Sequence, residues 1–180
     1  TAGAGQVAAF APGIYGYMGI DIGQAAIPQI VDLNRDGLSD IVIGEKTGNL
    51  NYFQNVGTTG VPMFGDDENI APNVRQLGQV DTRVIGSSVG YATPFFVDIS
   101  GEYHLFVGSQ SGALEYYRDI EGHLDGTAFT TINENLLDRS EGIYTHPVLW
   151  DFNENDFFDL VLGNERGGLS FFATNLLPDG

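Results

Sequence analysis

Cysteine is absent from all 180 residues, so the chain builds no disulfide framework, no thiolate nucleophile and no cysteine-ligated zinc or iron–sulfur centre. Positive charge is scarce: 7 Lys and Arg stand against 24 Asp and Glu, a formal net charge of −17. Affinity for a phosphate backbone or an anionic membrane comes from clustered Lys and Arg, so nucleic acid and lipid are disfavoured as partners. No run approaches the roughly 18 consecutive apolar residues that read as a membrane span, and no membrane insertion is expected. No window carries an apolar period of 3.6 residues over helical length, and Gly supplies 25 of the 180 residues, which further discourages long helices. The chain starts at Thr1 without a charged-then-apolar leader. The expectation is a removed signal or a fragment of something longer. An apolar share of 42% with 12% aromatic is ordinary for a domain with a core.

What the sequence does contain is a repeat. Pro28-Gln-Ile-Val-Asp32, Pro94-Phe-Phe-Val-Asp98 and Pro147-Val-Leu-Trp-Asp151 each place a proline four residues ahead of an aspartate. Each continues with a glycine, a second glycine four later, a leucine two after that and an aromatic pair. These are Gly44, Gly48, Leu50 and Tyr52-Phe53; Gly108, Gly112, Leu114 and Tyr116-Tyr117; Gly163, Gly167, Leu169 and Phe171-Phe172. The first two copies also share a tail in which Gly57 precedes Phe64 as Gly122 precedes Phe129.

Within a copy, short runs rich in Ile, Val, Leu, Tyr and Phe are bounded by Gly, Asn, Asp and Thr, the pattern of strands joined by turns. Ile27 to Leu33, Asp40 to Glu45 and Leu50 to Val56 are three such runs, and the tail around Phe64 or Phe129 offers a fourth. The fold class read from this is all-β. The aspartates recur after 98 − 32 = 66 and 151 − 98 = 53 residues, long enough for a β-propeller blade of four antiparallel strands and long for a solenoid coil. A β-sandwich would give no reason for the threefold repetition. The expected units are a leading segment 1–26, a strand of an adjoining blade; blade one over 27–91; blade two over 92–145; and an incomplete blade three over 146–180. Propellers close with about 4 to 8 blades. Three therefore imply a larger ring, closure through further blades or a homo-oligomer, or no closure.

Between the first two strands of copy one lies Asp32-Leu-Asn34-Arg-Asp36-Gly37-Leu38-Ser-Asp40. The side-chain oxygens of Asp32, Asn34, Asp36 and Asp40, with the Leu38 carbonyl, are spaced to wrap one cation, and Gly37 permits the bend. Hard oxygen donors of this number suit Ca²⁺, whereas Mg²⁺ demands a stricter octahedron. The spacing follows the first half of a D-x-[DN]-x-[DN]-G calcium loop. Position twelve, however, is Ile43 and strands flank the loop, so this is not an EF-hand. Copy three repeats the pattern as Asp151, Asn153, Asn155, the Phe157 carbonyl and Asp159, with Asp156 in the glycine position and one anionic ligand fewer, hence weaker binding. Copy two is two residues shorter between Asp98 and Gly108 and lacks the closing aspartate; a tight turn without metal is expected there. Asp, Asn and Gly also populate turns for reasons of backbone geometry alone, which would account for one such loop but not for the same alternation at the same place in two copies.

These residues resemble the FG-GAP or VCBS repeat. The resemblance rests on Pro28 to Asp32, the acidic loop to Asp40, Ile41 to Gly44, and Leu50 to Gly57 with Pro62 and Phe64, and it covers about residues 27 to 175. It implies blades of an integrin-α-like or secreted bacterial propeller, with Ca²⁺ at the first hairpin of a blade and an extracellular or cell-surface location. It implies no reaction, because function sits in sites grafted onto folds. The expected function is a calcium-stabilised module for protein or glycan binding, adhesion or scaffolding; the alternative is the propeller portion of a secreted polysaccharide hydrolase or lyase. A third view, that the acidity is an adaptation to salt, leaves function untouched.

Nothing in the sequence singles out a catalytic group. Gly86-Ser-Ser88-Val-Gly90 matches G-x-S-x-G, but that motif works on a strand-to-helix elbow, and a strand follows here. His104, His123 and His146 are scattered, and carboxylates are plentiful without a distinguishing spacing. The repeated aromatic pairs could stack sugars, but at a strand position they are first core residues.

Overall fold

The computed structural model describes residues 11–65 and 71–176. Ten strands run through them: β1 (Ile27–Val31), β2 (Asp40–Gly44), β3 (Leu50–Phe53), β4 (Thr93–Ile99), β5 (Glu102–Gly108), β6 (Leu114–Arg118), β7 (Thr130–Asn133), β8 (His146–Trp150), β9 (Phe158–Gly163) and β10 (Leu169–Leu176). They form three antiparallel sheets of consecutive strands, β1-β2-β3, β4-β5-β6-β7 and β8-β9-β10. Helix among the described residues is confined to three single 3-10 turns. The protein is all-β, as its short apolar runs and many turn residues require.

The repeat is visible as register. Pro28 pairs with Ile43, Pro94 with Val107 and Pro147 with Leu162. Each proline therefore sits second on a first strand that is also a sheet edge, where its missing N–H interrupts no ladder. The turns differ between copies. Ser100 and Gly101, both at positive φ, close the two-residue β4–β5 hairpin, the geometry that matches strand twist. The longer β1–β2 and β8–β9 connections instead hold positive φ at Arg35 and Gly37, and at Glu154 and Asp156.

One element differs from the sequence expectation. The tail of copy two supplies a fourth strand, β7, but Phe64 lies in no strand. Along β3 the equivalent edge is met, among the described residues, at Val74, which exchanges two backbone hydrogen bonds with Tyr52. The two phenylalanines also part company in space. Phe64 is buried with Ile43 and Phe53, while Phe129 joins the core between the first two sheets. In the leading segment, residues 11–26 carry a 3-10 turn at Tyr17–Gly19, and Met18, Ile20 and Ile22 pack beside Ile41, Ile43 and Phe53. Residues 1–10 lie outside the described residues.

Alternation along the strands gives every sheet two faces. One carries the prolines and is called the proline face. The other, the leucine face, carries Leu50, Leu114 or Leu169 with the first aromatic of the pair. The leucine face of sheet one (Val42, Leu50, Tyr52) packs on the proline face of sheet two (Phe96, Leu105, Val107, Tyr117). The leucine face of sheet two (Phe95, Phe106, Leu114, Tyr116) packs in the same sense on the proline face of sheet three (Leu149, Leu160, Leu162, Phe172). The three sheets thus stack head to tail. Where the incoming chain crosses, Gly44 faces the Ala92 carbonyl and Pro94, and Gly108 faces the Thr145 carbonyl and Thr93. No Cβ fits at either place. Gly108→Ala should therefore cost about 3 kcal/mol, the upper range for overpacking since the obstacle is backbone, and lower the melting temperature by roughly 6 to 12 °C. A thermal melt of the variant checks this, and an unchanged midpoint would contradict the packing.

Candidate metal centre

The two oxygen-rich loops fold alike. In the first, both oxygens of Asp32 accept backbone N–H groups across the bend, from Asp36 at 3.0 Å and Gly37 at 2.9 Å. Asp36 accepts the Leu38 N–H at 2.8 Å and the Asn34 amide at 2.8 Å. In the third copy Asp151 accepts from Asn155 at 3.1 Å and Asp156 at 2.9 Å, and Asn155 accepts the Phe157 N–H at 3.0 Å. Asp156 takes the positive φ, 68°, that Gly37 takes at 89°, a conformation Asp tolerates better than most residues. The sequence-predicted residues at positions one, three and five are thus brought together in loop one, each satisfied by the loop's own donors. A carboxylate oxygen accepts two hydrogen bonds, so Asp32 keeps acceptor capacity.

The closing aspartates behave differently. Asp40 is the first residue of β2 and Asp159 the second of β9, and both are fully buried. Each accepts the N–H that follows the first aspartate of its loop, Leu33 or Phe152, both at 3.2 Å. Asp40 gains two further donors, the Tyr52 hydroxyl at 2.9 Å and the Asn55 N–H at 2.8 Å. Burial raises its pKa, opposed by those donors; burial and the adjoining Asp40 carboxylate in turn raise the Tyr52 hydroxyl. In copy three Phe171 replaces the tyrosine and donates nothing. Asp159 Oδ2 takes the Asn153 amide at 3.1 Å, and Oδ1 is buried with no hydrogen-bond partner. Among the described residues, no group of three or more His, Asp or Glu side chains converges to hold a metal; amide and carbonyl oxygens make up the rest of each loop's donor set.

Two features were not legible as site residues. Arg35, a non-ligand position in loop one, reaches across to sheet two, donating to Asp98 at 2.9 Å, Glu121 at 2.9 Å and the Gly101 carbonyl at 3.0 Å. Its guanidinium lies 4.3 Å from the Tyr103 ring centroid, and the Tyr103 hydroxyl donates to the Asp32 carbonyl at 3.0 Å. Hydrogen bonds to Glu121 and Asp98 raise the Arg35 pKa further above its ordinary range. Loop one is thereby clipped to the neighbouring hairpin. The second feature is a polar cleft lined by Asp81, Thr82, Glu115, Tyr117, Thr131 and Glu134. There burial pushes Glu115 up to about 7 while the Tyr117 hydroxyl donates to it at 2.5 Å.

The remaining candidates are accounted for structurally. Gly86 to Gly90 form a turn in which Ser87 bonds to the Val89 backbone. His104 is buried against the Tyr116 hydroxyl at 2.7 Å, His123 meets the Asp119 carbonyl at 2.7 Å, and His146 stands exposed at the start of β8. Tyr52 and Phe53 are core. The sequence matches no family model and no curated protein.

Removing the Asp40 carboxylate leaves three donors, two of them backbone, facing nothing. Asp40→Ala should cost at least about 3 kcal/mol and Tyr52→Phe about 1, measured by urea unfolding. Glu115 has a folded pKa of about 7 against 4.5 for the exposed group. The folded state therefore binds its proton more tightly, and stability from this group is complete below the lower value and is lost as pH rises through the upper one. Glu115→Gln should remove that component. The melting temperature of the variant should fall less than that of the parent between those two pH values, and parallel profiles would refute the assignment.

Proposed function

We propose that the chain is a calcium-stabilised portion of a β-propeller of the FG-GAP or VCBS kind, a module of a secreted or cell-surface protein whose connecting loops bind protein or glycan. The sheets are its blades, and their head-to-tail stacking and common register support that reading. The observation that carries the ion is Asp159 Oδ1, a carboxylate oxygen fully buried beneath an oxygen-rich loop and lacking any donor. An unpaired buried anion is costly, and coordination to a cation is one of the few ways to offset it. Asp151, Asn153, Asn155, the Phe157 carbonyl and Asp159 would hold one ion; Asp32, Asn34, Asp36, the Leu38 carbonyl and Asp40 would hold the other. In loop one the ion would enter where the Asn34 amide now meets Asp36. Bound Ca²⁺ would neutralise the carboxylates of each loop and tie the first two strands of a sheet together. The ion has no chemical step to perform; its contribution is folding free energy.

Millimolar Ca²⁺ with a Kd of about 10⁻⁵ to 10⁻³ M stabilises by roughly 0.4 to 3 kcal/mol per site. Melting curves in calcium should lie above those in chelator, with magnesium giving a smaller rise. Asp159→Asn and Asp32→Asn should each remove part of the calcium-dependent increment, and Asp98→Asn, in the tight hairpin, none of it. Coincident curves in calcium and chelator would overturn the proposal.

A further inference from the structure

Among the described residues, the stacking that joins the three sheets leaves the leucine face of sheet three, and strand β1 on the proline face of sheet one, without a neighbouring sheet. On the leucine side, Leu50 and Leu114 are 0% exposed beneath the following sheet, whereas their equivalent Leu169 is 78% exposed. Phe171, Val148 and Trp150 are exposed on the same face. On the proline side, Phe96 and Leu149 are 4% and 2% exposed beneath the preceding sheet, whereas their equivalent Ile30 is 70% exposed. Pro28 beside it is exposed as well.

Glycine gives an independent indication. Gly44 and Gly108 are demanded by the backbone of the next sheet, which leaves no space for a Cβ. Gly163 holds the same place in copy three, and its Cβ would meet nothing within 4 Å. Gly167, the equivalent of the crowded Gly48 and Gly112, likewise has open space around it. The third copy keeps the hollow that receives a neighbouring sheet, and nothing among the described residues fills it.

The proline side is accessible to a partner. Inner junctions are made chiefly through the first strand of the incoming sheet, β4 over β1 and β2, and β8 over β4 and β5. The leading segment covers Ile41, Ile43 and Phe53 on β2 and β3 and leaves β1 exposed at Pro28 and Ile30. The leucine face of sheet three and the bare strand β1 thus correspond to the two sides of a contact that the chain makes twice, chiefly through a first strand.

We infer that the leucine face of sheet three docks the proline face of sheet one of a second copy of this chain, head to tail. This rests on the stacking alone and not on the ion. Such a contact is heterologous, so it either closes a ring or continues as a filament. Because each chain carries −17, association should strengthen as salt screens the repulsion.

The test is sedimentation over a concentration series at about 0.5 M salt, where the Debye length is near 4 Å, followed in parallel by Trp150, the single tryptophan. The expected result is mass rising from 19.4 kDa to two copies or more, with a blue shift of the Trp150 emission. Gly163→Val, whose side chain enters open space within its own chain, should melt as the parent does when dilute yet associate at least tenfold more weakly. Leu169→Glu and Ile30→Glu each block one face and should be monomeric alone. Mixed, they should give a dimer and nothing larger, since only one pair of free faces remains. A parent chain that stays at 19.4 kDa throughout would overturn the inference, as would an Ile30→Glu chain that associates by itself or a Gly163→Val chain that associates like the parent. Calcium-dependent melting is read separately, so either result can fail without the other.

Discussion

At the C-terminal end of the second strand in the first two sheets, a backbone carbonyl from the next segment of chain rests where a side chain would otherwise stand. Gly44 receives Ala92 and Gly108 receives Thr145, and the amides follow: Ala92 N–H donates to Glu45 at 3.2 Å and Thr145 N–H to Ser109 at 3.1 Å. That crossing fixes how far apart successive sheets lie and which face each presents to the next. Once it is made, Leu50 and Leu114 fall into closed cores, and the aromatic after each is pressed against the following sheet. Without it the sheets would be separate three- and four-stranded meanders with their apolar faces open to water.

The acidic loops sit at one end of this stack and depend on it. Asp40 is held by donors from β3 and the chain just beyond it, and Asp32 is met through its carbonyl by Tyr103 of the neighbouring sheet. Loop three lacks these supports. It has no hydroxyl at Phe171 and carries Glu154 where loop one has the clipping Arg35, and its closing carboxylate is the one left with an orphan oxygen. The charge count alone ranked loop three as the weaker site. The donor count adds that its closing aspartate has fewer protein partners competing with an ion.

Local chemistry was readable and distant chemistry was not. The proline register, the positive-φ positions and the two-residue hairpin at Ser100-Gly101 all follow from residues within one turn of each other, where spacing carries the information. Phe64 was misplaced because its distance from Gly57 matches that of Phe129 from Gly122, and equal spacing says nothing about which side of a sheet the chain returns to. Nothing near Arg35 in the sequence shows its role, since its partners Asp98 and Glu121 lie 63 and 86 residues away. Tyr52 was read as core, which it is, but its hydroxyl also caps Asp40, a role set by depth of burial rather than sequence position.

Every strand pairing in the described residues joins neighbours along the chain. No strand has to wait for a distant partner, and loop closure, the entropic cost that slows most all-β proteins, stays small at each step. Each sheet is complete in sequence before the next one begins. During synthesis the polypeptide can therefore finish one sheet while the following one is still being translated, leaving few open strand edges exposed to other nascent chains at any moment.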